Sequence, residues 1–373
     1  MPARTVVHVI HDLRFGGTER RMLDLVAHLD RDRYRPLLAC IDGLGDLAEA
    51  ARRVGVEPVV LGRSRRWDVA GIARLARLVR RERADVVHGW LFLANAYARV
   101  GGRLGGAPAV VAAEGGGMLS SSPRRRRAIR GVERLLAPLT SAYVANSAAT
   151  ADELRRLGAP GVRIEIVHNG IAVPPPLDAP TRERLRSELA GSATSPLAVM
   201  VARLDAEFKD HTTFVRAVRE VSGLHAAVVG DGPGREAAET EARSLGIADR
   251  MVFTGFRPDA PQLAAAADVS VLLTYSEGLS NVVLESMAAG VPVVATDIPG
   301  NREAVRDGVD GVLVPVGDVG ATAAALARLV GDEGERRRLG EAARRSVLER
   351  FSSAEQAERT MALYDRLLGA KPG

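Results

Sequence analysis

The sequence predicts an α/β protein built from two doubly wound parallel-sheet domains. Short apolar runs, typical of buried strands, alternate along the chain with amphipathic segments, typical of helices. The length of 373 residues suits two domains of about 150 to 200 residues each. A turn-rich stretch that ends in Pro174 to Pro176 separates one alternating series from the next. We therefore expect a first domain at residues 1–172 and a second at residues 177–352.

The first domain is predicted to contain one parallel sheet. Its strands are expected at residues 5–10, 35–41, 58–61, 85–89, 109–113, 143–145 and 164–167. Its helices are expected at residues 18–29, 47–54, 72–83 and 94–104, and from Pro123 and Asn146 onward. Because parallel strands need a crossover connection, usually a helix, the alternation favours parallel pairing. Ligands of such sheets bind beyond the carboxyl ends of the strands.

The second domain repeats this pattern. Its strands are expected at residues 197–202, 226–230, 252–256, 269–273 and 291–295, with a further apolar segment at 311–318. A helix is expected at residues 281–289, where Gly290 ends it, and more helix is expected over residues 321–350. Apolar residues make up 46% of the chain, which is enough for two packed cores.

Composition argues against several classes of protein. The formal charge is +5, from 51 basic and 46 acidic residues, and aromatic residues make up 4% of the chain. A small basic excess with few stacking platforms argues against nucleic-acid binding. Cys40 is the one cysteine, which excludes an intrachain disulfide and a zinc site built on thiolates. The N-terminus lacks the long apolar stretch of a signal peptide or membrane span, so we expect a cytoplasmic protein.

Two acids flank a predicted helix start in the segment TYSEGLSNVVLESMAAGVPVVATDIPG. Glu277 precedes the helix and Glu285 follows eight residues later, a separation of about 10 to 12 Å along two helical turns. Amides near residues 279–282 lack an intrahelical acceptor and favour a phosphate, while the acids accept hydrogen bonds from hydroxyls. This spacing suits a nucleotide sugar. The alternative is that Glu277 complements the helix dipole and Glu285 is a solvated surface residue.

Glycines and cations mark two further strand-to-helix loops. Gly16 and Gly17 follow the first strand, where they allow close backbone approach to a ligand, and Thr18 is expected to cap the next helix. The alternative is a plain tight turn. Arg203 and Lys209 lie in the loop RLDAEFKDHTTF, from which two cations can converge on a diphosphate. Taken alone, such cations are more often surface residues.

The glycine-rich segment VVGDGPG is the best argument for a nicotinamide-dependent enzyme. Its glycine spacing does not match the dinucleotide-binding fingerprint, and the next strand, VFTGF, lacks the required acid. These two departures argue against that class.

The segment EGLSNVVLESMAAGVPVVATDIPGNREAV resembles the glutamate motif of the retaining, GT-B-fold glycosyltransferases of family 4, with both acids at the matching spacing. The resemblance covers nearly the whole chain. It implies two facing Rossmann-like domains, of which the first binds the acceptor and the second binds the nucleotide-sugar donor. Residues 353–373 resemble the family's final helix, which crosses back to the first domain.

By this resemblance, Glu277 contacts the donor sugar, Glu285 contacts the ribose, and Arg203 and Lys209 bind the pyrophosphate. The catalytic residues are expected to be Arg203, Lys209, Glu277 and Glu114. The donor-binding residues are expected to be Gly16, Gly17, Arg203, Lys209, Gly255, Arg257, Glu277, Gly278, Leu279, Ser280, Asn281 and Glu285. Because two cations and a helix start are available, no metal ion or other cofactor is expected.

Three residues of the first domain, His88, Asn95 and Glu114, are expected to bind the acceptor. His88 lies near a predicted strand end, and its alternative role is to satisfy the loop backbone. Glu114 stands where many family members carry a histidine close to the reacting carbon, so this chain departs from the pattern. A carboxylate there could take the proton of the acceptor hydroxyl or offset positive charge on the sugar. Its alternative partner is an arginine of the segment that follows.

That segment, SSSPRRRRAIRGVERLLAPL, predicts a basic amphipathic helix. Arg124, Arg125, Arg126 and Arg127 precede apolar residues that include Leu135. Anionic lipid headgroups attract such a surface by about 1 kcal/mol per cation. The alternative is a solvated helix in an arginine-rich protein.

Together these features predict a retaining glycosyltransferase that moves a sugar from a nucleotide diphosphate sugar to a hydroxyl acceptor. A UDP-sugar is favoured over GDP-mannose, and the product would belong to cell-surface polysaccharide, glycolipid or glycoconjugate synthesis. The acceptor would be a compound with a hydroxyl group, and one alternative is a lipid-linked acceptor. In that case the protein would associate peripherally with the inner face of the plasma membrane. One alternative is a UDP-sugar 2-epimerase of the same fold, and another is a non-catalytic nucleotide-sugar binding protein.

Overall fold

A computed structural model describes residues 3–63, 68–116, 123–158 and 161–369. The chain divides into two compact units. Unit 1 comprises Met1–Gly170 and Ser352–Gly373, and unit 2 comprises Ile171–Phe351. Each unit contains one parallel sheet, so the predicted pair of doubly wound domains is confirmed.

Unit 1 is built on a seven-stranded parallel sheet. Its strands are β1 (Arg4–Ile10), β2 (Tyr34–Cys40), β3 (Pro58–Val60), β4 (Val86–Trp90), β5 (Ala109–Glu114), β6 (Ala142–Ala145) and β7 (Arg163–Ile166). Its first six helices are α1 (Gly17–His28), α2 (Ala48–Arg53), α3 (Val69–Glu82), α4 (Leu91–Gly105), α5 (Pro123–Leu136) and α6 (Ala148–Leu157). The spatial order is β3-β2-β1-β4-β5-β6-β7, which reverses between β1 and β4. Doubly wound sheets bind ligands at such a reversal.

Unit 2 is built on a six-stranded parallel sheet in the order β10-β9-β8-β11-β12-β13. These strands are β8 (Leu197–Val201), β9 (His225–Val229), β10 (Met251–Gly255), β11 (Val269–Leu272), β12 (Val293–Thr296) and β13 (Val312–Val314). The helices are α7 (Ala179–Ala190), α8 (His211–Glu220), α9 (Arg235–Ser244), α10 (Ala260–Ala266), α11 (Asn281–Ala288), α12 (Pro299–Ala304), α13 (Val319–Gly331) and α14 (Glu333–Arg350). The order reverses between β8 and β11.

Alternate residues of the central strands pack into different cores, because successive side chains of a strand point to opposite faces. In β1, Val6 and Ile10 belong to a core that includes residues of α1, whereas Val7 and Val9 belong to a core that includes residues of α3 and α4. Both faces of the sheet are therefore covered by helices. This explains why the strands read as continuous apolar runs in the sequence.

The last helix, α15 (Ser353–Leu367), returns to unit 1, as predicted. Tyr364 is fully buried in the core that also contains residues of β1. Asp365 accepts hydrogen bonds from the Tyr34 hydroxyl at 2.5 Å and from Arg4 Nη1 at 2.7 Å. Apolar burial and a charge-assisted network together hold this distant segment of the chain in unit 1.

Candidate functional site

In unit 2, backbone hydrogen bonds join the loops that follow the neighbouring strands β8 and β11. The backbone of Lys209 forms an antiparallel bridge with that of Thr274. Tyr275 N donates a hydrogen bond to Phe208 O over 2.9 Å. Because these strands meet at the reversal of the sheet, the joined loops lie where such a fold binds a ligand.

The joined loops bring together a predicted cation and a predicted acid. Lys209 Nζ forms an ion pair with Glu277 Oε2, with the two side chains 17% and 28% exposed. Arg203 lies on the same loop as Lys209 and is exposed to solvent. A ligand phosphate at Lys209 would therefore compete with Glu277 for the ammonium group. The structure thus places Lys209 beside Glu277, as a shared site requires, and their roles toward a ligand stay predictions.

The glycine-rich loop after β9 packs directly against the backbone of the Arg203 loop. A Cβ atom at Gly230 would lie 2.0 Å from Ala202 O, and one at Gly232 would lie 2.4 Å from Leu204 O. Both glycines also have positive φ angles, 148° and 159°. Any side chain at either position would push the two loops apart. The glycine cluster is therefore needed to hold the Arg203 loop in place, a role that sequence reasoning missed.

A second close contact supports the loop that carries Glu277. A Cβ atom at Gly300, in α12, would lie 1.7 Å from the carbonyl oxygen of Gly278. The next residues lead into α11, whose N-cap Ser280 accepts a hydrogen bond from Val283 N at 3.5 Å. The amides of the first helical turn have no intrahelical carbonyl partner. Their partial positive charge is the feature that attracts anions to a helix start.

Three further predicted donor residues, Leu279, Asn281 and Glu285, lie just before α11 or within it. Leu279 is buried immediately before the N-cap of α11. Asn281 is the first residue of α11, and Glu285 is on its second turn; both side chains are partly exposed. Glu277 precedes the first residue of α11, as the sequence analysis predicted.

Gly255 and Arg257 follow β10 in unit 2. Gly255 has a φ angle of 72°, and its carbonyl oxygen accepts a hydrogen bond from Gly230 N at 2.9 Å. The Arg257 guanidinium forms two hydrogen bonds of 2.7 Å with Asp259 and one with Glu188. These bonds to carboxylates raise the pKa of Arg257 above its usual value. The guanidinium already has two acidic partners, and its predicted role beside the base stays a prediction.

In unit 1, Gly16 and Gly17 lie at the junction of β1 and α1. Gly16 is the N-cap and Gly17 is the first helical residue, so the expectation that Thr18 caps the helix is wrong. The φ angle of Gly16 is −160°, an extended conformation that any residue adopts. A Cβ atom there would lie 2.0 Å from Glu19 Oε2, the end of a flexible side chain. The capping position is therefore two residues earlier than the sequence indicated. The ligand role of both glycines stays a prediction.

His88 occupies a structural position in unit 1. It lies in the middle of β4, not at its end, and it is 1% exposed. Its Nδ1 atom is 2.6 Å from the Tyr364 hydroxyl, and its ring stacks on Trp90 at a centroid distance of 4.7 Å. Burial lowers the pKa of His88 well below 6.5. The prediction of an acceptor-binding side chain is corrected here, because α15 covers the ring that would have to meet the acceptor.

Asn95 and Glu114 form a buried pair near the carboxyl end of the same sheet. Asn95 Nδ2 donates a 2.6 Å hydrogen bond to Glu114 Oε1 and a 2.9 Å bond to Ala113 O. Glu114 is the last residue of β5 and is 5% exposed. Its partner is an amide and not an arginine, so the ion pair considered as its alternative role is absent from the described residues. Burial raises the pKa of Glu114 to about 8, with a further contribution from the charge of Glu133.

The sequence analysis did not predict the buried ion pair of Arg99 and Glu133, whose charges act on Glu114. Arg99 donates two hydrogen bonds, 3.1 and 2.9 Å long, to the carboxylate of Glu133, and both side chains are at most 1% exposed. The Tyr143 hydroxyl donates a third, 2.6 Å long, to Glu133. The i+4 spacing of Asn95 and Arg99 on α4 was the available signal, since it places both side chains on one face of the helix.

The predicted basic helix is present as α5, whose first residue and Arg125 have side chains outside the described set. Its inner face carries Ile129 and Glu133, which are buried. Its outer face carries Leu135, which is 75% exposed. The arginines described as exposed on this helix are Arg124, Arg126, Arg127, Arg130 and Arg134.

Comparisons with known proteins identify the family. Residues 181–346 match the model of glycosyl transferases group 1, and residues 15–173 match that of Glycosyltransferase Family 4. A 2-deoxystreptamine N-acetyl-D-glucosaminyltransferase of Streptomyces fradiae is 30% identical over 84% of this chain and 78% of its own length. The chain belongs to glycosyltransferase family 4. The predicted resemblance is thereby confirmed.

This family 4 glycosyltransferase has the GT-B fold. Its structure matches Anabaena Alr3699/HepE, solved in complex with UDP and glucose, with a TM-score of 0.85 over 97% of this chain and all of that one, at 20% identity. A lipopolysaccharide core biosynthesis glycosyltransferase, LpsE, of Rhizobium meliloti (strain 1021) is 34% identical over 50% of this chain. That match spans 54% of the relative's length, about half of it. Among the helices of the described residues, none is long and apolar enough to span a membrane.

Proposed function

We propose that this protein is a retaining glycosyltransferase that transfers a sugar from a UDP-sugar to a hydroxyl group. The observation that carries the proposal is the meeting, on two hydrogen-bonded loops of unit 2, of Lys209, Glu277 and the start of α11. Together with Arg203, these groups supply positive charge for a diphosphate and an acceptor for sugar hydroxyls. Retention follows from the family resemblance and not from a measured distance.

In the proposed reaction, the bond between sugar C1 and the diphosphate oxygen breaks while the acceptor oxygen bonds to C1 on the same face. The proton of the acceptor hydroxyl leaves with the diphosphate. Arg203, Lys209 and the first amides of α11 stabilise the negative charge that develops on the leaving group, so no metal ion is required. Glu277 accepts hydrogen bonds from the sugar, and Glu285 accepts them from the ribose.

Donor binding would exchange the partner of Lys209. The ammonium group is paired with Glu277, which neutralises both partly buried charges. A diphosphate at the start of α11 offers Lys209 a more negative partner, and Glu277 then becomes available to the sugar hydroxyls. Replacement of this one ion pair by the diphosphate would therefore make both Lys209 and Glu277 available to bind the donor.

The kinetic test replaces each cation of the loop by alanine. Lys209→Ala and Arg203→Ala should each lower kcat by about tenfold to a hundredfold, because each removes about 1.5 to 3 kcal/mol of charge-assisted hydrogen bonding. The matched control is Arg216→Ala, which removes a cation on α8 that is 53% exposed and paired with Glu241. Full turnover by Lys209→Ala would refute the assignment. Loss of activity on adding EDTA would refute metal independence.

A single incubation separates the transferase from its two alternatives. A labelled UDP-sugar is incubated without an acceptor and then with a panel of hydroxyl acceptors. A transferase produces a new glycoside only with an acceptor, and a 2-epimerase produces the epimer without one. A binding protein leaves the donor unchanged in both cases. Formation of an epimer without an acceptor would refute the transferase proposal in favour of a 2-epimerase.

The proposed base of the donor is uracil. Anabaena Alr3699/HepE was solved with UDP-glucose, and that complex supports a uridine carrier over guanosine here. A thermal-shift panel of UDP-sugars and GDP-mannose tests this choice. A donor at a hundred times its dissociation constant should stabilise the protein by about 2.7 kcal/mol. Stabilisation by GDP-mannose alone would reverse the assignment.

The proposed product is a cell-surface polysaccharide, glycolipid or other glycoconjugate. LpsE is a lipopolysaccharide core biosynthesis enzyme, whereas the Streptomyces fradiae relative has 2-deoxystreptamine as its named acceptor. We favour the saccharide or lipid-linked acceptor because α5 presents exposed arginines beside the exposed Leu135 on unit 1. That surface would hold the protein peripherally on an anionic membrane from the cytoplasmic side.

The membrane proposal is tested by flotation with vesicles of anionic and of neutral lipid. Arg126→Glu/Arg127→Glu should weaken recovery with anionic vesicles by tenfold or more, because each lost cation removes about 1 kcal/mol. The matched control, Arg53→Glu/Arg77→Glu, makes the same charge change at exposed positions of α2 and α3. Equal recovery with both lipids, or equal losses in both variants, would leave α5 as a solvated helix.

A further inference from the structure

Among the described residues, one carboxyl oxygen of Glu114 has a hydrogen-bond partner and the other has none. Its Oε1 atom accepts the hydrogen bond from Asn95, and no described residue hydrogen-bonds to Oε2. The side chain is 5% exposed, and its residue ends β5 at the carboxyl edge of the sheet. Ligands of doubly wound sheets bind at that edge. The carboxyl group therefore presents one oxygen whose hydrogen bonding the described protein does not satisfy.

The Asn95 amide decides which oxygen of Glu114 carries a proton. Asn95 Nδ2 also lies 2.9 Å from Ala113 O, and a carbonyl oxygen only accepts hydrogen bonds. The NH2 end of the amide must therefore face both Ala113 O and Glu114 Oε1. Because Oε1 is an acceptor, the proton of a neutral Glu114 belongs on Oε2, the oxygen without a hydrogen-bond partner among the described residues.

The surroundings of Glu114 favour that neutral form. The charge of Arg99, on α4, acts on Glu114, but Arg99 already donates two hydrogen bonds to Glu133 of α5. Glu133 itself and Glu153 of α6 add negative charge. A buried carboxylate with a neutral amide partner and acidic neighbours is unstable relative to the protonated acid, which agrees with a pKa raised to about 8.

We propose that Glu114 binds the acceptor as a neutral carboxylic acid, donating the proton on Oε2 in a hydrogen bond to an acceptor oxygen while Asn95 holds Oε1. This inference rests on the proposed transferase function. It differs from the base or counter-charge expected from the sequence, because an acid that keeps its proton performs neither role. The proton of the acceptor hydroxyl then has to leave with the diphosphate. Asn95 is a positioning residue in this arrangement.

Two substitutions distinguish a donated proton from a carboxylate base. Glu114→Gln keeps an acceptor for Asn95 and places an NH2 donor at Oε2, whereas Glu114→Met fills the same space without either. We expect Glu114→Gln to keep at least about a third of kcat/KM at pH 7, and Glu114→Met to lose tenfold or more. If Glu114→Gln were as inactive as Glu114→Met, the carboxylate itself would be required and the proposal would be overturned.

The pH dependence supplies a second readout that a purely structural role would not change. Wild-type kcat/KM should fall above about pH 8, approaching tenfold per pH unit, as Glu114 loses its proton. The Glu114→Gln profile should lack this alkaline decline. Asn95→Ala should move the decline to higher pH, because it removes a hydrogen bond that favours the charged form. A wild-type decline that persists unchanged in Glu114→Gln would contradict the proposal.

Infrared spectroscopy tests the proton without any turnover. Difference spectra between pH 7 and pH 10 should contain the C=O band of a protonated carboxyl that is absent from Glu114→Gln. Absence of this band in the wild type would overturn the proposal whatever the activity. If the band is present but no UDP-sugar is turned over, the proposed function fails while the protonation of Glu114 stands. If Glu114→Met is as active as Glu114→Gln, the hydrogen bond to substrate is refuted.

Discussion

Gly300→Ala tests whether close backbone packing positions the candidate donor site of unit 2. The new Cβ atom would lie 1.7 Å from Gly278 O and 2.5 Å from Glu277 O. Cβ atoms essentially never lie within 3.0 Å of such atoms, and both contacts here are backbone, which cannot rotate away. The Glu277 loop or α12 must therefore move by about 1 Å or more, and a shift of that size at a site costs about a hundredfold in rate.

The effect should appear in both ligand binding and stability. We expect the affinity for UDP to fall by tenfold or more, because the moved loop carries the partner of Lys209 and leads into the start of α11. The free energy of unfolding should fall by about 1 to 3 kcal/mol, the usual cost of overpacking. Isothermal titration calorimetry with UDP and urea denaturation measure the two quantities.

The matched control is Gly331→Ala in the same unit. Gly331 ends α13, and a Cβ atom there would have no heavy atom within 4 Å. This variant should bind UDP as the wild type does and gain up to about 1 kcal/mol of stability, since alanine favours helix over glycine. If Gly300→Ala bound UDP with wild-type affinity, the site would not depend on the contact between Gly300 and Gly278, and the reasoning would be refuted.

Three further predictions concern unit 1. Burial lowers the pKa of His8 from 6.5 to about 3, so the unfolded state binds the extra proton and stability falls as the pH drops below 6.5. Between pH 7 and pH 5, His8 alone should lower the free energy of unfolding by about 2 kcal/mol. His8→Gln should abolish this decrease, and His28→Gln, at an exposed site, should not. Glu133→Gln should lower the free energy of unfolding, measured by urea denaturation, by about 3 to 5 kcal/mol, because Arg99 would be left buried without its counter-charge. A decrease of less than about 1 kcal/mol would contradict this. Asp365→Ala should speed amide hydrogen exchange in α15, because the helix loses its bonds to Tyr34 and Arg4, and unchanged exchange would show that apolar packing suffices.

The architecture could be predicted because its signals are local. The strand-forming runs of both units appear in the sequence, since strands buried on both faces have apolar residues at every position. The predicted start of α11 at Asn281 was correct for the same reason, because the signals that begin a helix act within one turn. The sequence analysis did not predict α7, because most of its residues are charged or polar and its buried apolar residues are few, namely Leu185, Leu189 and Ala190.

The candidate site was only partly visible in the sequence. The pairing of Lys209 with Glu277 joins residues that are 68 positions apart, and only the pairing of β8 with β11 brings their loops together. The burial of His88 depends on Tyr364, which is 276 positions away on α15. The sequence placed His88 near a strand end because nothing local shows that a helix from the other end of the chain covers it.

The sequence alone determined the two doubly wound domains, the family and the identity of the charged groups at the candidate donor site, because apolar periodicity and motif spacing are properties of neighbouring residues. The tertiary structure alone decided the state of those groups. The ion pair of Lys209, the raised pKa of Glu114 and the burial of His88 all depend on contacts with distant segments of the chain. Electrostatic energy depends on distance in space and on exclusion of water, and neither can be read from positions along a chain.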